Sequence, residues 1–582
     1  MECQILGKRM KSYMNPKISP CDDFYESVCG NYPKDGSGEQ DEDEDDDIAD
    51  LAKLIVTYQP ISKSEKIAMK VLEKCMDKSR NRNQIDRSFW DNLQNHSLTD
   101  VLIEAVKVNP LYTGFLENDV YMEQNSSTNS KYLRLSITAG LAENSKMEEV
   151  FEQIKSENED LEKRIYISLD EAKNQIKFID LEKYVSSLLP EEYRKIENDG
   201  EWKVDINAMI ILERVVNITG VEHVKEVIRY EYLSTLDKYL VKPNFPRCFK
   251  RLMKLFPGTL ANIFVKNFVG DKNLDKANQL FKDLQKVFIE MLNENDWLGQ
   301  HLKNLLKQEV LDMKASIGIP DEYKDQKNVD RMYSRIADDF ENQSYLTLIQ
   351  SLLRMNSEET FLRVSRKEEI TYLGKTIGTN ANYLPENHRT SISPIFLNFP
   401  YIDKNLPEWN TYATIGLILG HEIGHAFDAM DFFKNPMGEK IKMSSKMKKI
   451  FRQRIKCIIE KYNKYQFPDG TFSDGSLTQQ EDSADMIGFD LVYRLFKKLE
   501  NPQKFSSFEE YTAEQQYFQR IGILWCSGET NEKQLERIKD DVHSFHKFRI
   551  NGMMSNSEEF AKAFNCPKNS PMNPEKKCPL FK

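Results

Sequence analysis

His421-Glu422-Ile423-Gly424-His425 sets two imidazoles four residues apart with a carboxylate between them. On a helix such positions share a face, so both rings can reach one zinc ion while Glu422 holds an attacking water. The apolar residues Ile415, Leu417, Ile418 and Leu419 just before the motif predict a buried helix over Tyr412–Asp428, which suits a dry site. A catalytic zinc needs a third protein ligand and one open position. The extended pattern with a third histidine fails, because Asp428 and Asp431 stand where its Gly and His belong. Glu481 and Asp485 are four apart near the start of an amphipathic segment, Leu477–Leu499. Glu481 can bind the metal while Asp485 accepts the outer N–H of a ligand histidine. Ser476 with Gln479 reads as a capping box at the start of that segment.

The rest of the chain must position these groups. From about Ala49 to Asp312 the pattern is mostly helical, with apolar residues at three- and four-residue spacing in Ile61–Lys78 and Cys248–Val269. Ile370–Tyr383 is the best strand candidate. The fold class expected is mainly α with a small β-sheet. Composition is that of a globular protein, 40% hydrophobic and 30% charged over 582 residues. Ninety-two acidic against 81 basic side chains give a charge of −11, and seven of the acids form the unbroken run Asp41–Asp47. Net acidity argues against a nucleic-acid partner, and the run reads as a solvated loop. No stretch approaches the ~18 apolar residues of a membrane span. The first residues carry no signal peptide, which taken literally says cytoplasm.

The nine cysteines say otherwise. Cys3, Cys21, Cys29, Cys75, Cys248, Cys457, Cys526, Cys566 and Cys578 form no CxxC pair and crowd towards both ends, as disulfides tying the termini together would. Sequons at Asn95, Asn125, Asn217 and Asn342 add weak support for a secretory route.

Read together, these residues resemble the neprilysin and endothelin-converting-enzyme family of zinc metallopeptidases. Its Cys-Asp-Asp-Phe-Tyr opening stands here as Cys21-Asp-Asp-Phe-Tyr-Glu-Ser-Val-Cys29-Gly. Its HEITHGFD stands as His421–Asp428, and its ENIADNGG as Glu481–Gly488. Its substrate-binding strand matches Asn380-Ala-Asn-Tyr383, and its C-terminal signature matches Trp525-Cys526, His543, Arg549 and the tail Phe564–Cys578. The resemblance implies a thermolysin-like catalytic lobe, with a helical cap lobe enclosing the active site. It implies one zinc ion held by His421, His425 and Glu481, Glu422 as general base, Asp485 behind the metal, and His543 donating to the oxyanion. Asn380 and the backbone of Ala381 would pair with the substrate as an added strand. Arg549 would hold a substrate carbonyl, and Leu417, Ile418, Leu524 and Trp525 would line the pocket for a hydrophobic residue just after the cleaved bond.

The resemblance also pairs Cys21 with Cys566, Cys29 with Cys526, Cys75 with Cys248 and Cys457 with Cys578. Cys3 would be the second member of a pair whose first precedes this chain, so the sequence looks N-terminally incomplete. Residues 1–29 would form an N-terminal segment tied to the catalytic lobe, residues 30–305 the cap lobe with an acidic loop at 39–50, and residues 306–582 the peptidase lobe. The interval Cys75–Cys248 is shorter than in the family, and an abridged cap would admit larger substrates. The family arginine that captures a substrate carboxylate has no counterpart, and the acidic run stands in that region, disfavouring acidic substrates. Gly424 replaces a Thr and costs the helix about 1 kcal/mol relative to Ala. The expected function is an extracellular zinc endopeptidase, secreted or a cell-surface ectodomain, cutting oligopeptides on the amino side of hydrophobic residues. The alternative is an inactive relative that binds peptides as a decoy.

Overall fold

Close helix–helix approach, made possible by glycine, brings the two motifs together. The computed structural model describes residues 2–33, 50–77, 87–109, 112–113, 115–124, 131–142, 145–158, 161, 163–188, 202–241, 244–366, 378, 380–385, 388–428, 432, 441–467, 469–528, 535 and 541–581. The acidic run, the sequon at Asn125 and residues 370–377 and 379 of the expected strand lie outside these. The helices that matter here are, in chain order, α1 (Phe24–Cys29), α2 (Lys63–Met76), α3 (Phe245–Leu255), α4 (Gly270–Glu294), α5 (Leu417–His425), α6 (Ser445–Tyr462), α7 (Gly475–Lys497), α8 (Ala513–Leu524) and α9 (His546–Ser555).

The chain forms two units, each drawn from separate stretches. One comprises Met1–Thr57, Leu260–Lys324 and Gly374–Lys582; the other comprises Tyr58–Thr259 and Asp325–Leu373. The sequence had suggested contiguous blocks. The difference has a packing cause: α4 lies against α5 and α7, which draws residues after 260 into the unit of the motifs. Helix Tyr345–Arg366 instead packs on α2 and α3.

In the motif unit, α5 and α7 touch at backbone distance. A Cβ on Gly424 would lie 3.0 Å from the Cα of Ala484, and one on Gly488 would lie 2.6 Å from the amide nitrogen of His421. Gly424 is therefore a packing requirement, and the helix-propensity cost assigned to it from sequence is the lesser term. A π-helical turn, Tyr412–Gly416, leads into α5. Helix α7 begins two residues earlier than the capping-box reading, with Asp474 as the cap accepting from the amide of Ser476. Three strands complete this unit: β5 (Lys314–Ile317), β6 (Ala381–Leu384) and β7 (Arg389–Ile392), ordered β5-β7-β6. β6 pairs antiparallel with β7, with Ala381 opposite Ile392, and so forms an edge beside α5.

Three disulfides fasten this unit. Cys21–Cys566 and Cys29–Cys526 hold α1 against α8 and the tail, and Cys457–Cys578 ties α6 to the C-terminal segment. Cys3 forms no disulfide, and its thiol donates to the carbonyl of Asn405 at 3.0 Å.

In the second unit Cys75–Cys248 joins α2 to α3. A capping box of Ser62 and Glu65 starts α2. This unit also contains a four-stranded sheet of β1 (Leu116–Gln124), β2 (Lys131–Ala139), β3 (Tyr166–Ser168) and β4 (Trp202–Asp205), ordered β1-β2-β4-β3. It lies inside the stretch read as mostly helical. Its clearest trace is the alternation of Leu133, Leu135 and Ile137 with Arg134 and Ser136, a period of two. Asn95, Asn217 and Asn342 are exposed. No helix among the described residues is long and apolar enough to cross a membrane.

Candidate active site

Helix α5 presents His421 and His425 on one face, with ring centroids 4.6 Å apart. Glu481 reaches them from the second turn of α7: its Oε2 lies 3.1 Å from Nε2 of His421 and its Oε1 lies 3.6 Å from Nε2 of His425. Among the described residues these three are the group whose ligand atoms all converge, within 4.8 Å of one another. Each imidazole is fixed from behind. Nδ1 of His421 lies 2.7 Å from Asp485, and Nδ1 of His425 lies 3.2 Å from Asp428. An Nδ1 proton given to a carboxylate leaves the Nε2 lone pair facing the centre.

The charges behind the centre are layered. Asp485 is fully buried, and Arg549 grips it through two bonds, Nε to Oδ2 at 2.6 Å and Nη2 to Oδ1 at 2.8 Å. The guanidinium carbon lies 4.0 Å from the centroid of the Trp525 ring. Burial raises the Asp485 carboxyl, but Arg549 and His421 outweigh it and hold it well below the usual carboxylate range. Burial likewise opposes ionisation of Glu481, yet the two imidazoles and Arg549 bring it down to about 2. Burial would discharge His421, but Asp485 and then Glu481 push its imidazolium up to about 10. Glu422 is buried beside them, and desolvation raises its carboxyl, partly offset by both histidines.

This donor set fits zinc. Two neutral imidazole nitrogens and one carboxylate are ordinary zinc ligands. The buried Oε2 of Glu422 makes no hydrogen bond, which leaves acceptor capacity beside the point where a cation would sit.

The structure brings His543 to the same place. Its side chain is 49% exposed, Nε2 lies 3.3 Å from Oε2 of Glu481, and Nδ1 lies 2.7 Å from Asp541. Asn380 is half-buried just before β6 and its carbonyl accepts from Ser393, with Ala381 as the first residue of the edge. Arg549, read from the resemblance as a substrate contact, is buried and spends Nε and Nη2 on Asp485. Leu417 and Leu524 are buried, Ile418 and Trp525 half-buried. Sequence reasoning missed two orienting carboxylates, Asp428 and Asp541. Each stands three or two residues from the histidine it holds, a signal too short-ranged to separate from chance.

A helix-borne histidine pair with a glutamate ligand from a second helix defines the metallopeptidase class whose third ligand is acidic. Comparison with known proteins narrows this. The signature of Peptidase family M13 matches residues 138–320 and 380–580. Neprilysin-11 of Caenorhabditis elegans is 26% identical over 390 residues, 65% of this chain and 46% of that protein. Neprilysin-21 of the same organism is 22% identical over 100% of this chain and 88% of its own length. The crystal structure of the Mycobacterium tuberculosis zinc metalloprotease Zmp1 in complex with inhibitor has the same fold, with a TM-score of 0.75, 17% identity, and 98% and 99% of the two chains covered. The chain belongs to peptidase family M13. Neprilysin-21 excepted, it spans about half the length of the first curated relatives it matches.

Proposed function

We propose that this protein is an extracellular zinc endopeptidase that hydrolyses oligopeptides on the amino side of hydrophobic residues. The observation that carries this reading is the convergence of His421, His425 and Glu481 beside a buried, unpaired Glu422. Bound there, a zinc ion would supply Lewis acidity, polarising a peptide carbonyl and bringing the pKa of a water towards about 7. The remaining work falls to the chain. The upward shift of the Glu422 carboxyl suits a base that takes a proton from the attacking water and returns it to the leaving amine. His543, held by Asp541, would donate from Nε2 to the developing oxyanion. Among the described residues β6, beginning at Ala381, is an edge strand, which suits a peptide laid as an added strand with Asn380 at its end. Leu417, Ile418, Leu524 and Trp525 would form the hydrophobic pocket. Four disulfides and the exposed asparagines of three sequons favour an oxidising, secretory setting.

The test is a quenched peptide with a hydrophobic residue after the scissile bond, assayed with and without chelator, together with metal analysis. Glu422→Gln should keep zinc and lose turnover by about 10³-fold or more, since proton transfer and water positioning fail together. Chelator-insensitive cleavage, or full activity in Glu422→Gln, would overturn the reading.

A further inference from the structure

A cavity of about 480 Å³ opens beside His543, within the motif unit. Its rim carries two exposed hydrophobics, Phe472 at 63% and Leu477 at 38% exposure. Its polar lining is acidic: Asp469, Asp474 and Asp541 contribute, and among the described residues no lysine or arginine does. Asp469 accepts from the amide and hydroxyl of Thr471, and Asp474 accepts from the amide of Ser476.

We propose that this cavity is a second specificity subsite, selecting a lysine or arginine of the peptide substrate. The apolar stem of such a side chain lies along Phe472 and Leu477, as long cationic side chains do on hydrophobic surface. Its charged head ends between Asp469 and Asp474. The acidic lining raises the local concentration of a cationic peptide and discriminates against an acidic one. This inference rests on the peptidase reading for its orientation, because His543 at the cavity's edge is what places a bound peptide beside the reacting bond.

The test compares quenched peptides that differ only in lysine or norleucine, scanned along the residues flanking the cleaved bond. At one position lysine should raise kcat/KM about fivefold, the effect of partly exposed ion pairs. The double variant Asp469→Asn with Asp474→Asn should bring that ratio to about one and leave the norleucine peptide unchanged. Asparagine keeps both the turn acceptor and the helix cap, so the fold is preserved while the charge is removed. Equal cleavage at every position, or a ratio that survives the double variant, overturns the subsite. A second arm measures peptide binding to the Glu422→Gln protein by fluorescence anisotropy. If neither peptide is cleaved by the wild type but lysine still binds more tightly, and the double variant removes that preference, the subsite stands and the peptidase reading falls. Equal binding of the two peptides overturns the subsite itself.

Discussion

Arg549 and Lys461 are both cations with enclosed charged ends in the same unit, and the chain treats them in opposite ways. Arg549 meets Asp485 through two hydrogen bonds, lies 3.7 Å from Glu481 and stacks on Trp525. Lys461, in the last turn of α6, has a buried ammonium with no hydrogen-bond partner. Burial, reinforced by Lys577 and Lys464, lowers that amine to about 7. The contrast separates two jobs. Where an orienting carboxylate must stay ionised behind a metal ligand, a matched cation is built in. Where a side chain near a helix end has no such partner to serve, its amine is enclosed without a hydrogen bond at a cost to stability.

The largest effect should come from breaking the matched pair. Arg549→Met leaves Asp485 buried without its cation and should destabilise the protein by about 3–5 kcal/mol. The same change should weaken zinc binding, because Asp485 would then be drawn towards protonation and hold His421 less firmly. Denaturant unfolding and metal content measure the two effects. Wild-type stability in this variant would mean that Arg549 is not structural and would dissolve the contrast.

Lys461→Met should act with the opposite sign. The folded state releases its proton near pH 7, whereas the unfolded chain keeps it to about 10.5. Between those values the unfolded state binds more protons, so native stability falls as pH drops from 10.5 to 7 and is level below. Methionine removes that cost and should stabilise by about 1–3 kcal/mol at pH 7. The gain should shrink steadily as pH rises above 7. A gain that is equal at pH 6.5 and pH 9 would trace it to packing and leave the lysine's charge irrelevant.

Legibility in the sequence followed chemical density. The HExxH motif, Glu481 and Asp485 stood out because each residue type suits a metal site and the spacing is short, whereas His543 came only from the family resemblance. Gly424 was visible only as a weak helix former. That it and Gly488 exist to let α5 and α7 meet backbone to backbone is a property of two helices at once. The sheet of β1–β4 escaped because two of its strands, Tyr166–Ser168 and Trp202–Asp205, are too short to show a period. The interleaving of the two units was likewise invisible, since no composition change marks residues 260 or 325. Cap placement at Asp474 differed from the Ser476 reading because several oxygen-bearing residues stand side by side there, and only backbone geometry chooses among them.

The smallest effect distinguishes the two histidine–carboxylate pairs that look alike on distance alone. Asp485 and Asp541 each lie 2.7 Å from an imidazole Nδ1. Asp485 serves a buried ring and is clamped by Arg549, while Asp541 serves a ring whose side chain is 49% exposed. Asp541→Asn should therefore change stability by no more than about 0.5 kcal/mol, as for other substitutions at accessible polar positions. Zinc content should be unchanged, because neither Asp541 nor His543 belongs to the converging group. Catalysis should still fall, by about tenfold, as His543 loses the contact that sets its tautomer and aims Nε2. Unfolding midpoint, metal stoichiometry and kcat/KM measured on one preparation decide the matter. Loss of zinc in this variant would move His543 and Asp541 from the substrate side of the site to the support of the metal.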